Sequence, residues 1–485
     1  MVGTATNAVG AAFGKGLDLV LLAVALRRIG AVAFGLVVVA QGLALWPTLL
    51  EKGVGQTMVR LVAGDRESES YRGALTAGVL FYALLGLLTA ALGLTFARFA
   101  FVRVFDAPAA LHRQTMLAVE LLFLASAVRM GTGFVARVLV GRTSFARLRA
   151  VELARGATAL ACGLVLIGHR PAGLVGFAAS LLAADLVAAA LGVYFVRAER
   201  SAFHPRSVRR EVLITHWREA RPVLAASGIG LAWSRLDPVI IGVGLGAAAA
   251  ATYGVAMAGF DMLQGLIEIL YLGLLPTTAS LLATGDGPRV GRLLAKANRY
   301  VTVIVWPVAA TLAIFAPEIV RVWFRSEPPD VWPATALAMA LIVTTTVPTC
   351  FIFVIVGAGR VGDVLRVQVW AAVVNLAISV GLLRPIGIGA VFLGSVVGGV
   401  LVAVRSSRVV ADIIGGRRGD GWHGTAGPAA LVVALVAAFG MLRLTGLGGV
   451  ALGAAMVGLL GLYALNAVLW LVPRKDIRHL MPARR

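Results

Sequence analysis

Lys15 to Leu22 (KGLDLVLL) returns later in the chain as Ser234 to Ile241 (SRLDPVII). The first copy runs on to Phe34-Gly35, and the second runs without a gap to Tyr253-Gly254. Under one shift of 219 residues Leu17/Leu236, Asp18/Asp237, Val20/Val239, Ala31/Ala250 and Gly35/Gly254 coincide. Two further echoes keep the same order. Gly141-Arg142 answers Gly359-Arg360, and Arg170-Pro171 with Gly173 answers Arg384-Pro385 with Gly387, at shifts of 218 and 214. Self-similarity at a near-constant period marks an internal duplication.

The surroundings of these copies set the fold class. The 485 residues are 59% hydrophobic and 14% charged, with a mean hydropathy of +0.91. Soluble domains carry about 25% charged residues, and apolar stretches of about twenty mean membrane spans. Reading such stretches along the chain gives fourteen: 6–26, 31–50, 73–97, 114–137, 150–168, 174–196, 222–246, 250–275, 300–320, 331–357, 367–383, 387–404, 426–442 and 449–471. Only helices satisfy their own backbone in lipid without closing a barrel. The expected protein is an all-α polytopic membrane protein with 14 transmembrane helices. The duplication makes it two six-helix lobes related by a parallel repeat, plus two C-terminal helices. The expected divisions are an N-lobe at 1–197, a basic cytoplasmic linker at 198–221, a C-lobe at 222–405 and the extra spans with a basic tail at 406–485.

Charge sets the orientation. With the N-terminus inside, 30 Lys and Arg fall in inner connections and the tail, 10 fall outside, and Lys15, Arg129, Arg155 and Arg235 lie within spans. This excess is the positive-inside signal, so both termini are expected in the cytoplasm. The net charge of +21 therefore reports membrane topology, and no nucleic-acid partner is expected. The linker from Arg197 to Arg221 reads equally well as an amphipathic helix on the anionic inner leaflet or as a basic loop fixing topology. Lys15 and Asp18 interrupt the first apolar stretch, so no cleavable signal is expected there.

The charges inside the spans carry the functional reading. A lone charge at the bilayer centre costs about 2.5–3.5 kcal/mol, so the eight at Lys15, Asp18, Arg129, Asp185, Arg235, Asp237, Asp261 and Glu268 would cost on the order of 20 kcal/mol unpaired. They must pair or face water. Lys15 and Asp18, three apart, suit a local ion pair, and so do Glu152 and Arg155. Arg235 and Asp237, about 200° apart around a helix, need partners from elsewhere. So does Arg129, whose nearest acid on its own helix is Glu120. Thr344 to Thr349 surrounds Pro348 and reads as a kink with back-bonded hydroxyls or as a polar lining. The Gly394/Gly398 and Gly449/Gly453 pairs read as close helix contacts.

Other classes lack their residues. No phosphate-binding loop with Lys-Ser/Thr, no HExxH and no CxxC occurs, and Cys162 and Cys350 lie alone in apolar runs. Neither a metal site nor a cofactor is expected. The outer loops are too short to carry a glycan enzyme's catalytic groups, so no enzyme is expected.

Arg235 to Gly242 (RLDPVIIG), a Gly/Ala-rich turn and Tyr253 to Ala256 (YGVA) resemble the seventh and eighth helices of polysaccharide repeat-unit (O-antigen type) flippases. The first-half counterpart ending at Phe34-Gly35, and Gly53, Gly55 and Gln56 on to Arg60, are similar to the same family. It belongs to the multidrug/oligosaccharidyl-lipid/polysaccharide exporter superfamily. The resemblance implies two six-helix lobes around a central cavity. It also implies transfer of an undecaprenyl-pyrophosphate-linked glycan across the bacterial inner membrane by alternating access, alongside polysaccharide polymerase machinery. On that basis Lys15, Arg129 and Arg235 are candidates for binding the pyrophosphate. Asp18, Asp237 and Asp261 are candidates for a coupling Na⁺ or H⁺, although Asp18 and Asp237 serve equally well to balance Lys15 and Arg235. Span 8 holds Asp261 and Glu268 but no internal cation, a departure that counts against lipid II and leaves the substrate open, with lipid II flipping kept as an alternative within the class. A cation-coupled multidrug exporter is a further alternative, one for which twelve spans and an acidic cavity would be expected.

Overall fold

The computed structural model describes residues 2–45, 51, 55, 58–59, 62, 69–96, 101–168, 173–197, 236–271, 273–324, 330–417 and 419–471. Regular structure among them is helical. Helices of eight residues or more are α1 (Val2–Ile29), α2 (Ala31–Ala44), α3 (Glu69–Phe96), α4 (His112–Gly141), α5 (Phe145–Leu166), α6 (Gly173–Val196), α7 (Asp237–Gly244) and α8 (Ala247–Tyr271). They continue with α9 (Leu274–Ala283), α10 (Gly287–Ile314), α11 (Ala316–Phe324), α12 (Val331–Gly357), α13 (Val361–Gly381), α14 (Gly389–Ile414), α15 (Ala426–Leu444) and α16 (Gly449–Leu471).

Ten helices among the described residues are long and apolar enough to cross a bilayer, which makes this a multi-pass membrane protein. They occupy the third, fourth, sixth and eighth to fourteenth apolar windows. α1 and α5 lie in the first and fifth, and α2 and α7 in the second and seventh. The seventh window before Leu236, the 198–221 linker and the tail from 472 lie outside the described residues. α10 starts at Gly287 rather than 300, because Asp286 caps it by accepting the Arg289 N–H at 3.1 Å and Pro288 suits its first turn.

The chain forms two compact units. One holds Met1–Ala258, Val320–Ala334 and Gln368–Ser395, and the other Gly259–Ile319, Thr335–Val367 and Val396–Arg485. Lipid is as apolar as Leu, so helices associate in it through close packing and polar contacts. In the first unit small residues make this possible. Gly156 and Gly163 of α5 admit Leu17 and Leu21 of α1, and Gly192 of α6 meets Val135 of α4. The cations at the end of α1 serve as caps. Arg28 donates to the carbonyls of Leu164 and Ile167 at 2.8 Å each, closing α5, and Arg27 donates to Val322 O at 2.9 Å.

In the second unit Asn298 of α10 is fully buried. Its side chain accepts from Tyr271 Oη and donates to Gly421 O, both at 3.1 Å. The chain between α14 and α15 is thereby pinned to α10, and Phe351 and Trp422 meet edge-to-face beside it at 5.6 Å. The threonines near Pro348 are back-bonded: Thr344 and Thr345 to Leu341 O, Thr346 to Ile342 O and Thr349 to Thr345 O. α12 runs unbroken through the proline. Gly394 does make a close contact, since a Cβ there would overlap Asn375 of α13. Gly449 and Gly453 do not: a Cβ at either would meet open space, because α16 leaves that face uncovered.

Candidate functional site

The centre of α6 carries Asp185, wholly buried. An ionised carboxylate in such a place is tolerated only with partners on its lone pairs. Two arginines supply them. Arg129 of α4 donates through Nε and Nη2 at 3.3 and 2.9 Å, one to each carboxylate oxygen. Arg155 of α5 donates through Nε at 2.7 Å. The Nη1 of Arg155 then lies 3.7 Å from Asp18 of α1. Four helices thus meet at one network of two cations and two anions with no net charge.

Access to this network is uneven. Asp185 is sealed, whereas the Arg129, Arg155 and Asp18 side chains are 32, 23 and 40% exposed. Asp185 therefore holds the guanidiniums in place from behind while part of each remains exposed. Two guanidiniums fixed side by side match the oxygens of a phosphate or pyrophosphate group. They act in a low-dielectric setting, where each contact is stronger than in water.

Among the sequence-derived candidates the structure brings Arg129 and Asp18 into one cluster. The need of Arg129 for a partner on another helix is met by Asp185. The local Glu152–Arg155 pair does not form: Arg155 turns to Asp185, and Glu152 pairs with Arg149. A sealed carboxylate competes for the cation more strongly than a surface acid one turn away. The side chain of Lys15, and Arg235 as a whole, lie outside the described residues. Asp261 is half-buried on α8 in the second unit.

Asp237 has a different set of neighbours. It opens α7, is buried, and accepts from Tyr253 Oη at 2.9 Å. It faces a pocket of about 140 Å³ lined by Leu236, Asp237, Ile240, Ala372, Val373, Asn375 and Leu376. Asn375 is buried there and accepts from Ser379 Oγ at 3.1 Å. A carboxylate and a side-chain carbonyl beside one small cavity are oxygen donors suited to a hard cation.

A second charged cluster escaped the sequence reading. Glu51 accepts from Tyr82 Oη at 2.8 Å and from Arg137 through Nε at 2.8 Å and Nη2 at 3.2 Å. Glu51 and Arg137 fall at the ends of predicted spans, where charges ordinarily reach water. Their one signal was the presence of opposite charges at adjoining span ends.

This geometry belongs to a recognisable fold. The structure is similar to the lipid II flippase MurJ in an inward closed conformation, with a TM-score of 0.71, 10% identity, and 98% of this chain and 99% of that one covered. It is also similar to an inward-facing multidrug resistance MATE family transporter of the MOP superfamily, at 0.69 and 16%, with coverage of 82% and 95%. A MOP superfamily transporter from Pyrococcus furiosus matches at 0.58 and 16%, with coverage of 84% and 96%. No curated protein matches the sequence. The family model described as polysaccharide biosynthesis protein matches residues 27–328, more than half the chain, and the protein belongs to that family.

Proposed function

We propose that the protein is a flippase carrying an undecaprenyl-pyrophosphate-linked oligosaccharide across the bacterial inner membrane by alternating access, for surface polysaccharide synthesis. In this reading it has fourteen spans and cytoplasmic termini, and two six-helix lobes of the repeat divide the work. The observation that carries it is the paired guanidiniums of Arg129 and Arg155 on Asp185, where α4, α5 and α6 of a polysaccharide-biosynthesis chain meet. A charged head bearing sugars cannot cross hydrocarbon unaided, whereas its lipid tail stays in the bilayer. Cations at mid-depth supply what the head group loses on leaving water. Lys15 and Arg235 are proposed as further contacts to the same group.

Transport would be coupled to Na⁺ or H⁺ through Asp18, Asp237 and Asp261, with the pocket at Asp237 as one seat. Binding there favours one of two states, and a cation gradient then biases the cycle.

The test uses proteoliposomes containing a fluorescent undecaprenyl-pyrophosphate oligosaccharide and a membrane-impermeant quencher. Wild type is expected to move the probe. Arg129→Ala and Arg155→Ala, incorporated equally, should be slower by roughly tenfold or more, as for loss of a charge-assisted contact. Equal rates would remove these arginines from the site, and no transfer by wild type would remove the substrate. In the same vesicles Asp237→Asn should no longer respond to an imposed Na⁺ or proton gradient; an unchanged response excludes that residue as the seat.

A second reading, lipid II flipping, is favoured by the near-complete coverage of MurJ. Replacing the probe by lipid II decides between them. Coverage of the MATE transporter stops at 82% of this chain, which supports drug export less.

A further inference from the structure

α3 and α4 of the first unit leave a groove of about 540 Å³ between them. Small residues open it, Ala83, Gly86 and Ala90 on α3 with Ala127 and Gly131 on α4. A Cβ on Gly86 would stand 3.0 Å from Ala127 O, so the helices touch there, whereas a Cβ on Gly131 would have nothing within 4 Å. The single hydroxyl among the lining residues, that of Tyr82, is turned to Glu51. Along α4 the groove runs from Leu124 to Phe134, about 15 Å and so half the hydrocarbon thickness of a bilayer. Leu80, Leu84 and Leu88 beside it on α3 are exposed, so this side of the unit faces lipid. An apolar cavity at that depth stays dry, and a hydrocarbon chain is what fills it.

Charge stands where such a chain would end. On α3 Arg72, Val79, Ala83, Gly86 and Ala90 follow at spacings that keep them within about 60° around the helix. Arg72 is exposed and precedes Val79 by about 10 Å along the axis. Arg142, the C-cap of α4, lies about three turns past Gly131 and on the same side. Its guanidinium is held 4.5 Å from the centre of the Tyr71 ring, next in sequence to Arg72. Two arginines therefore flank one end of the groove, the cytoplasmic end on the proposed topology.

We propose that the α3–α4 groove binds an anionic phospholipid of the inner leaflet, with one acyl chain in the groove and the phosphate on Arg72, Arg142 adding its charge from the side. The polyprenyl tail of the proposed substrate fits less well. Ala127 and Gly131 each lie two residues from Arg129, about 160° around α4, so a lipid with its head at Arg129 would have to pass α4 to lay its tail here. The site does not depend on what the protein transports. A chain in the groove ties α3 to α4 and stabilises the folded protein by mass action.

The test is native mass spectrometry of the detergent-solubilised protein, titrated separately with dioleoyl phosphatidylglycerol, dioleoyl phosphatidylcholine and undecaprenyl phosphate. Wild type is expected to bind phosphatidylglycerol at least about fivefold more tightly than phosphatidylcholine, as for one cation at a lipid head group. Arg72→Gln, at an exposed position, should weaken phosphatidylglycerol about fivefold and leave phosphatidylcholine unchanged. Equal affinities of wild type for the two phospholipids would overturn the proposal, and so would Arg72→Gln binding phosphatidylglycerol as tightly as wild type.

Gly131→Leu fills the groove from a position with open space. It should weaken both phospholipids by about tenfold or more, because two displaced methylenes suffice for that. Without added lipid its thermal stability should equal or exceed that of wild type, since Leu is the better helix former. An unchanged phosphatidylglycerol affinity in this variant would remove the groove from the site. Should Gly131→Leu fold poorly, Arg72→Gln decides by itself. Undecaprenyl phosphate bound more tightly than phosphatidylglycerol by wild type, and lost in Gly131→Leu, would give the groove to a polyprenyl chain and reject the phospholipid.

Discussion

Asp185→Leu is expected to cost about 3–5 kcal/mol of stability, the range for breaking a buried ion pair from one side. The wild-type carboxylate is fully buried and accepts three hydrogen bonds from Arg129 and Arg155. Leu fills much of the volume but leaves two adjacent guanidiniums whose remaining nearby acids, Asp18 and Glu152, hydrogen-bond to neither. Their mutual repulsion adds to the lost attraction. The loss should appear as a large drop in thermal stability of the detergent-solubilised protein and in the amount recovered from membranes.

The double variant Asp185→Leu with Arg129→Leu separates structure from function. It restores charge balance, because Arg155 keeps Asp18 at 3.7 Å. Apolar replacement of a whole buried pair is often neutral. Most of the stability should therefore return while probe transfer stays low. A thermally normal Asp185→Leu protein would show that the carboxylate does not hold the two cations.

Ten long apolar helices among the described residues were legible because a bilayer demands about twenty apolar residues, whatever the packing. Pairings inside them were not, since they depend on helix rotation and on which neighbours meet. Arg129 illustrates the boundary. Nine residues of offset from Glu120 showed that its partner lay on another helix, yet nothing in the pattern selected Asp185 from the other central acids. Arg155 illustrates a false lead, because three-residue spacing to Glu152 described only what one isolated helix would do. The repeat placed Gly35 and Gly254 as equivalents, and their meeting at one crossing of α2 and α8 needed coordinates. α9 and α11 have no window of their own, running past the ends of the eighth and ninth, because at 10 and 9 residues they are too short to span.

Glu51→Ala is the second large effect expected, again about 3–5 kcal/mol, because Arg137 and Tyr82 would lose their shared acceptor together. Tyr82 is 2% exposed, so its hydroxyl cannot turn to water. Glu51→Ala orphans one arginine, which is 29% exposed and can recover part of its hydration, whereas Asp185→Leu orphans two adjacent ones, which places Glu51→Ala lower in severity. Tyr82→Phe removes one neutral donor and should cost only about 1–2 kcal/mol, since the carboxylate keeps both arginine bonds. Glu51→Gln retains an acceptor for Tyr82 but not the charge facing Arg137, and should fall between the two.

A double-mutant cycle on Glu51 and Arg137 isolates their pair. Coupling of about 1.5 kcal/mol or more is expected for a close, largely buried charge pair. Thermal unfolding of the four proteins in one detergent gives the number. Additive losses would mean that the two groups act independently, and that the contact between them contributes nothing to holding α4 in place. Because α4 also carries Arg129, loosening this end should slow probe transfer in Glu51→Ala even though Glu51 lies outside the Arg129–Asp185 cluster. The same cycle read in transport rate distinguishes that outcome from a purely local defect.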